Sequence, residues 1–518
     1  MGVARVVTAM VVFALACTST AAAADIGAND DGGKFAPDAG ASLYREMASI
    51  GMRETVITVR WLPSDPLGLG ERPLLDLTVA AARDAGLEVV FAAYPYPPRE
   101  LLDGRARPDA FGAWLAELAR RYPEVREFVV GNEPNQPAFW RPQFSGAAPA
   151  SASSFGPFLA AGYDALKAVD PTLTVVGVGL SPRGNDRPFA RSNVSTSPVR
   201  FLSALGSWYR ASGRDRPLMD GLSFHPYPNR ATDPLERGYA WPNAGFVNLD
   251  RVKQALWDAF EGTPQPTTVD GLRLYLDEIG WQVDTTAFGG YTGDENVEVT
   301  DEETQATVYA QLVRAAQCDP DVAAVNLFGF RDDALRTGFQ AGLLRVDGSR
   351  RPALEAVRDA IGPCASAQAP WRPAGAVLGA SSPRVRVGRV SVVVGLSTGE
   401  DASAKACLLP GTHSASGARR LLAARRSPGR ASCAVLRIQA NRPATLRLPR
   451  PVGRQTLALT LEAAANPVRR TTLVRSVPRC LTSNTCSGSM GTDVRSIDSR
   501  PHRSPRRGSA LSLGALRR

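Results

Sequence analysis

Lysine and histidine are nearly missing from this chain, which has 4 and 3 of them against 56 arginines in 518 residues. His225 is the only histidine before residue 375, so a histidine-rich metal centre is excluded there and any Ser-His-Asp triad has a single base to use. No nucleophile elbow accompanies it, because GLSFH around Ser223 lacks the second glycine. No two cysteines form a CxxC pair, which argues against structural zinc and thioredoxin-type exchange. Beyond the N-terminal segment no apolar run approaches the roughly 18 residues of a membrane span. A phosphate-binding glycine loop is also missing: VGVGLSPRG comes closest, with Pro182 where the third glycine belongs.

The chain opens with Arg5, an apolar stretch from Val6 to Ala16 and the small residues Ala21 to Ala24, the order of a secretory signal peptide. Residues 1–24 are therefore expected to be removed and the protein exported. Cys17 follows an imperfect lipobox, which leaves lipid anchoring there as the minor alternative. Six cysteines remain, an even number that suits three disulfides in an exported protein. Pairing by sequence neighbours gives Cys318 with Cys364, Cys407 with Cys433 and Cys480 with Cys486, although six cysteines allow fifteen pairings.

Charge is divided unevenly. Residues 375–478 carry 17 basic against 3 acidic residues and residues 479–518 carry 8 against 2, which leaves a net −10 on the first 374 residues of a chain whose total is +10. A basic appendage on an acidic body can hold an anionic polymer, such as a cell-wall polysaccharide, by its long-range field. The chain-wide arginine excess is the competing, purely compositional explanation. Nucleic acid is not expected as a partner of an exported protein.

From residue 25 to 362, short apolar runs alternate with stretches of helical period, eight times over. The runs are Ala24–Ala28, Thr55–Trp61, Glu88–Tyr94, Val125–Asn132, Leu173–Leu180, Gly221–His225, Arg273–Glu278 and Ala323–Phe328. Helical stretches between them include Pro73–Ala85, Pro108–Arg121, Phe155–Val169, Val199–Ala211, Leu249–Phe260 and Glu302–Gln317, and Pro352–Ile361 closes the series. Eight βα units in this length predict a (β/α)8 barrel. Residues 363–374 read as a linker, residues 375–478 alternate at period two like the strands of a small β-sandwich, and residues 479–518 are too poor in apolar side chains to order.

Two glutamates stand where buried runs end: Glu133 in FVVGNEPN and Glu278 in LYLDEIGW, 145 residues apart. Strand ends of a parallel barrel open on one face, where its chemistry is built. Two carboxyls there suit glycoside hydrolysis, which needs one to protonate the departing oxygen and another to attack the anomeric carbon or activate water. Asp277 competes with Glu278, since neighbouring strand residues face opposite sides. Aromatic residues crowd the same ends: Trp61, Tyr94, Tyr96, Trp140, Tyr227, Trp281, Phe328 and Phe330. Their flat faces suit sugar rings, and core packing is expected to claim about half of them.

The GNEP run on the fourth strand, HPY at 225–227 on the sixth and Glu278 on the seventh resemble clan A of the glycoside hydrolases, the retaining barrel enzymes that include families 5 and 39. The resemblance covers the barrel only. It implies Glu133 as general acid/base, Glu278 as nucleophile, Asn132 on the sugar 2-hydroxyl, His225 and Tyr227 orienting the carboxyls, and Arg60 holding the nucleophile ionised. Clan A enzymes often place a tryptophan near the end of strand eight. NLFGF stands there instead, with Phe330 or Trp281 to take its place beside Tyr94 in the sugar site.

The sequence thus predicts an exported, monomeric retaining β-glycosidase, acting on a polysaccharide or oligosaccharide without metal or organic cofactor. The rival from another class is a non-catalytic carbohydrate-binding or wall-associated protein on a barrel scaffold. An esterase built on His225 is a third, weaker reading. Sugar and linkage are not legible.

Overall fold

A computed structural model describes residues 23–477 except 365, 389–390, 415–416, 419–420, 422–430 and 451–452. The expected signal peptide, Cys17, the 480–486 pairing and the basic tail lie outside the described residues. Within them, eight parallel strands close on themselves: β1 (Asp25–Asn29), β2 (Glu54–Trp61), β3 (Glu88–Pro95), β4 (Glu127–Val130), β5 (Thr174–Leu180), β6 (Gly221–Phe224), β7 (Arg273–Ile279) and β8 (Val322–Phe328). Each pairs with the next in sequence, and β1 pairs with both β2 and β8. The expected barrel is what forms.

A helix follows every strand: α1 (Ala41–Ser49), α2 (Arg72–Asp84), α3 (Pro108–Arg121), α4 (Ser151–Val169), α5 (Pro198–Ser212), α6 (Leu249–Phe260), α7 (Glu302–Gln317) and α8 (Pro352–Ala360). Proline sits in the first turn of α2, α3, α5 and α8, where its missing N–H costs nothing and its fixed φ suits the helix. Asp301 caps α7 by accepting from the Thr304 N–H at 2.7 Å, an interaction worth about 1 kcal/mol. Helix α1 is one that the sequence reading does not single out. It starts after Gly40, whose φ of +86° glycine adopts freely, with Asp38 accepting from the N–H groups of Gly40 and Ser42.

Two apolar layers hold the barrel. Outward-facing strand residues such as Ile57, Phe91, Phe128 and Leu274 pack against the helices, and each such side chain contributes about 1.5–3 kcal/mol on burial. Val56, Val90, Ala92, Val129 and Val176 form a second cluster with Tyr275. Their alternation with the first set along each strand puts them on the barrel axis.

Residues 384–477 form two antiparallel sheets. One holds β9 (Arg384–Val387), β10 (Ser391–Leu396) and β13 (Ala444–Pro449), and the other β11 (Ala402–Pro410), β12 (Ser432–Ile438), β14 (Gln455–Ala463) and β15 (Arg470–Val477). Both sheets supply one core, Val392, Val394, Leu446 and Leu448 from the first and Ala404, Leu408, Leu459 and Leu461 from the second, which is the expected sandwich. Cys407 and Cys433 are disulfide-bonded across a directly paired position of β11 and β12, so the bond staples neighbours in one sheet and not the two sheets to each other. Cys318–Cys364, also as expected, ties the end of α7 to the chain beyond α8.

The segment expected as a linker lies on the barrel. Gln368 N–H donates to the Cys318 carbonyl, Trp371 N–H to Asp321 and Ala374 N–H to Gln254. Beyond it, Arg469 of the sandwich is almost wholly buried between two carboxylates. It reaches Asp258 of α6 at 2.7 and 2.9 Å and Glu400 at 2.6 and 2.8 Å. Arg200 of α5 adds a second bridge to Asp401 at 3.1 Å.

Candidate active site

The strand carrying Glu133 ends sooner than its apolar run suggests. β4 stops at Val130, and Gly131 turns off with φ +113°. A Cβ there would lie 2.7 Å from the Phe155 ring, so only glycine fits. Glu133 itself holds φ +38°, unusual for a side chain of its kind, and its N–H is tied to the Gly179 carbonyl at 2.7 Å. Asn135, fully buried, bonds the next loop in both directions: its amide donates to the carbonyls of Ser181 and Thr196 and accepts from the Ser181 N–H. The backbone around Glu133 is over-determined, which holds the strain in place.

Two irregular registers aim the remaining groups. In β5 the pairing with β6 slips between Gly177 and Leu180, where Val178 takes φ +108°. In β7 the pairing with β8 gains a residue between Leu276 and Ile279. Such a bulge breaks the alternation of a strand, and Asp277 and Glu278 consequently reach the same imidazole. The choice that the sequence left between them dissolves, because both face the site.

His225, just past β6, is the centre of the cluster. Its Nδ1 stands 3.2 Å from an oxygen of Glu133 and 3.4 Å from one of Glu278, while Nε2 stands 3.4 Å from Asp277. One oxygen of each glutamate and one ring nitrogen lie within 4.8 Å of one another. Burial opposes a charge on the imidazole, but Glu278 and Asp277 outweigh it and hold its pKa well above the usual range. Two carboxylates and a nitrogen could also ligate a cation; as they stand, Nδ1 is hydrogen-bonded to Glu133 and Glu278 lies beside it as a charge partner. Burial raises Glu278 to about 7, against the pull of His225 and of the Tyr227 hydroxyl, which donates to it at 3.3 Å. Asp277 also accepts from Ser223 Oγ, and its carbonyl from Asn29. Ser223 is fully buried and committed to that bond, so it is no nucleophile for an esterase.

Two cavities open beside the pair. The larger, about 810 Å³, is lined by Glu133, Tyr227, Arg183, Asn229 and Gln282 among others. The other, about 630 Å³, is lined by Glu278, Asn132, Tyr94, Arg60, Asp31 and Phe328. Asn132 thus stands on the wall beside Glu278, its side-chain amide spent on no other described residue. Arg60, expected to hold the nucleophile ionised, lines the same cavity as Glu278 but is bonded elsewhere. Its Nε donates to the Tyr94 hydroxyl at 3.4 Å and its guanidinium lies over the Tyr96 ring, so the cation beside Glu278 is His225.

The expected aromatic residues divide. Tyr94, Tyr227 and Phe328 line the cavities. Trp281 and Phe330 do not: both are buried, with Trp281 Nε1 donating to the Asp233 carbonyl and Phe330 N–H to Asp30. Trp61 and Trp140 are buried too, their indoles bonded to Pro66 and Ser154. Phe339 lines both cavities in place of Phe330, packed on Tyr227 and Phe328 with ring centres 5.6 and 4.9 Å away. It sits in an irregular loop, GFQAG, whose sequence has no period to flag it.

No protein-family description and no curated protein matches the chain in sequence. Solved structures similar to it include a family 39 glycoside hydrolase from Bacteroides cellulosilyticus, 15% identical over 83% of this chain and 81% of that one, with a TM-score of 0.44. A glucosidase from Croceicoccus marinus is 12% identical over 84% and 94%, at 0.46. A GH5_18 protein from Bifidobacterium longum is 15% identical over 70% and 87%, at 0.44. Likeness of that size assigns no residue and no substrate.

The geometry itself narrows the chemistry. One oxygen of each carboxyl lies within 4.8 Å of the other, nearer the roughly 5–5.5 Å separation of a nucleophile and an acid/base than the 6.5–9.5 Å that leaves room for a water.

Proposed function

We propose that this chain is an exported retaining β-glycosidase acting on an oligosaccharide or polysaccharide. The observation that carries the reading is the pairing of Glu133 and Glu278 on His225 Nδ1, with both carboxyls opening into cavities. A Glu278 oxygen attacks the anomeric carbon as the bond to the departing oxygen breaks, and Glu133 gives its proton to that oxygen. Water then surrenders a proton to Glu133 while its oxygen displaces Glu278, so both carboxyls return to their first state. Tyr227 and the charged imidazole favour the ionised form of Glu278 that attack requires. Asn132, on the wall beside Glu278, takes the sugar 2-hydroxyl. No step calls for a metal or an organic cofactor.

The test is hydrolysis of aryl β-glycosides and of a panel of soluble β-glucan, xylan and mannan, with the anomer of the first product read by NMR. A β product that disappears in Glu278→Ala and Glu133→Ala supports the reading; an α product makes the enzyme inverting. Binding of the panel without turnover would instead favour a carbohydrate-binding scaffold.

A further inference from the structure

Neither cavity ends at the catalytic pair. The one that holds Glu133 runs outward from the pair between the loops after β5 and β6, past Arg183, Asn185 and Asn229, to Val297 and Glu298 beyond β7. The one that holds Glu278 runs under the ends of β1, β2 and β3 to Asp38, Ser42 and Leu43 at the start of α1. At about 810 and 630 Å³, each alone is within the range of about 300–1,000 Å³ that takes a complete small ligand. A site built to trim one terminal sugar needs a single such space, closed behind the sugar.

The two spaces also share a wall. Phe339 lines both, and its ring meets Tyr227 on the Glu133 side and Phe328 on the Glu278 side nearly edge-on, at 69° and 90°. Three aromatic rings therefore pass from one space into the other without a break. Rings of that kind bury the C–H faces of successive sugars, and Asn185, Asn229 and Arg183 along one side offer donors to their hydroxyls.

We propose, resting on the glycosidase reading, that the two cavities form one through-cleft and that the enzyme cuts inside a β-linked chain instead of trimming its end. The direction follows from the chemistry. The acid stays beside the oxygen it protonates, so the leaving stretch lies in the Glu133 arm. The stretch that becomes bonded to Glu278 lies in the other arm.

The experiment uses the full chain on the soluble β-glucan, xylan and mannan panel, following viscosity and new reducing ends together. Internal cutting makes viscosity collapse while few ends have formed, and the products are oligosaccharides. Val297→Trp, an exposed position at the outer end of the Glu133 arm, is expected to lower kcat/KM on the polymer at least about tenfold and to leave a nitrophenyl β-glycoside nearly untouched. Single sugars released while viscosity merely tracks the ends would overturn the through-cleft, as would cleavage of aryl glycosides with no polymer attacked, or equal loss on both substrates in Val297→Trp. Activity that survives Glu278→Ala would sink the glycosidase reading itself, which separates the two failures.

Discussion

Asp277 and Glu278 are consecutive residues of one strand that approach the same imidazole, Asp277 at Nε2 and Glu278 at Nδ1, each at 3.4 Å. The bulge in β7 makes this possible, and it surrounds His225 with three carboxyls, Glu133 being the third. Tyr227, also beside Glu278, completes the titratable groups of the cluster.

Asp277 is not among the residues lining either cavity and stands against His225 Nε2, so under the glycosidase reading we expect it to act through the imidazole, as a positioning residue. Asp277→Asn removes one of the two charges that hold the imidazole protonated, so its proton should come off at lower pH than in the wild type. Turnover is expected to fall roughly 10–100-fold, the scale for partners that orient an active group, with KM little changed. An NMR titration of the ring and the pH profile of kcat check it together; a purely structural role would leave the titration where it was.

Glu278 must be ionised to attack, and burial holds it near 7. We expect kcat/KM to climb as pH rises through about 7. A profile that falls over the same range would reverse the two glutamates' roles.

The same shift has a sign for stability. The folded pKa lies above the ordinary 4.5, so between about 4.5 and 7 the folded state binds more protons than the unfolded one, and stability from this group is lost as pH rises. Glu278→Gln should therefore be more stable than the wild type at pH 8, by up to about 3 kcal/mol. Urea melts of the two proteins decide it; an unstable variant would mean that the charge is better accommodated than its burial implies.

Retention on an anionic polysaccharide tests the basic sandwich. Arg386 and Arg447 pair with the same residue of β10, Val393, and stand exposed with Arg384 on one sheet. Changing the three to serine should weaken retention at low salt and matter little at high salt. Equal retention by both proteins would leave the arginine excess as composition alone.

Much of this was legible before any coordinates. Eight apolar runs sit within a few residues of the eight strands, because parallel strands buried on both faces leave a continuous signal. Glu133 and Glu278 could be read from strand ends, His225 and Tyr227 came through the resemblance of the HPY run, and the four lie together. Asp277 could not be placed, since a bulge violates the alternation on which such reading rests. Arg60 reads as a partner for a carboxylate, but the choice among Glu278, Tyr94 and Tyr96 is made by side-chain reach. Trp281 sits beside Glu278 in sequence and turns into the shell of the barrel, while Phe339 arrives from a loop that has no pattern at all.

Arg469 makes a different demand. Removing the guanidinium strands Asp258 and Glu400 together away from water, a loss expected to cost about 3–5 kcal/mol in Arg469→Ala, measurable as a lowered Tm. Truncation at residue 374 removes Arg469 together with the sandwich that covers Asp258, so it does not reproduce that loss. The clasp also leaves the sandwich no hinge to swing on. Whatever the sandwich holds would therefore keep one set distance from the barrel, as on a fixed bracket and not a tethered hook.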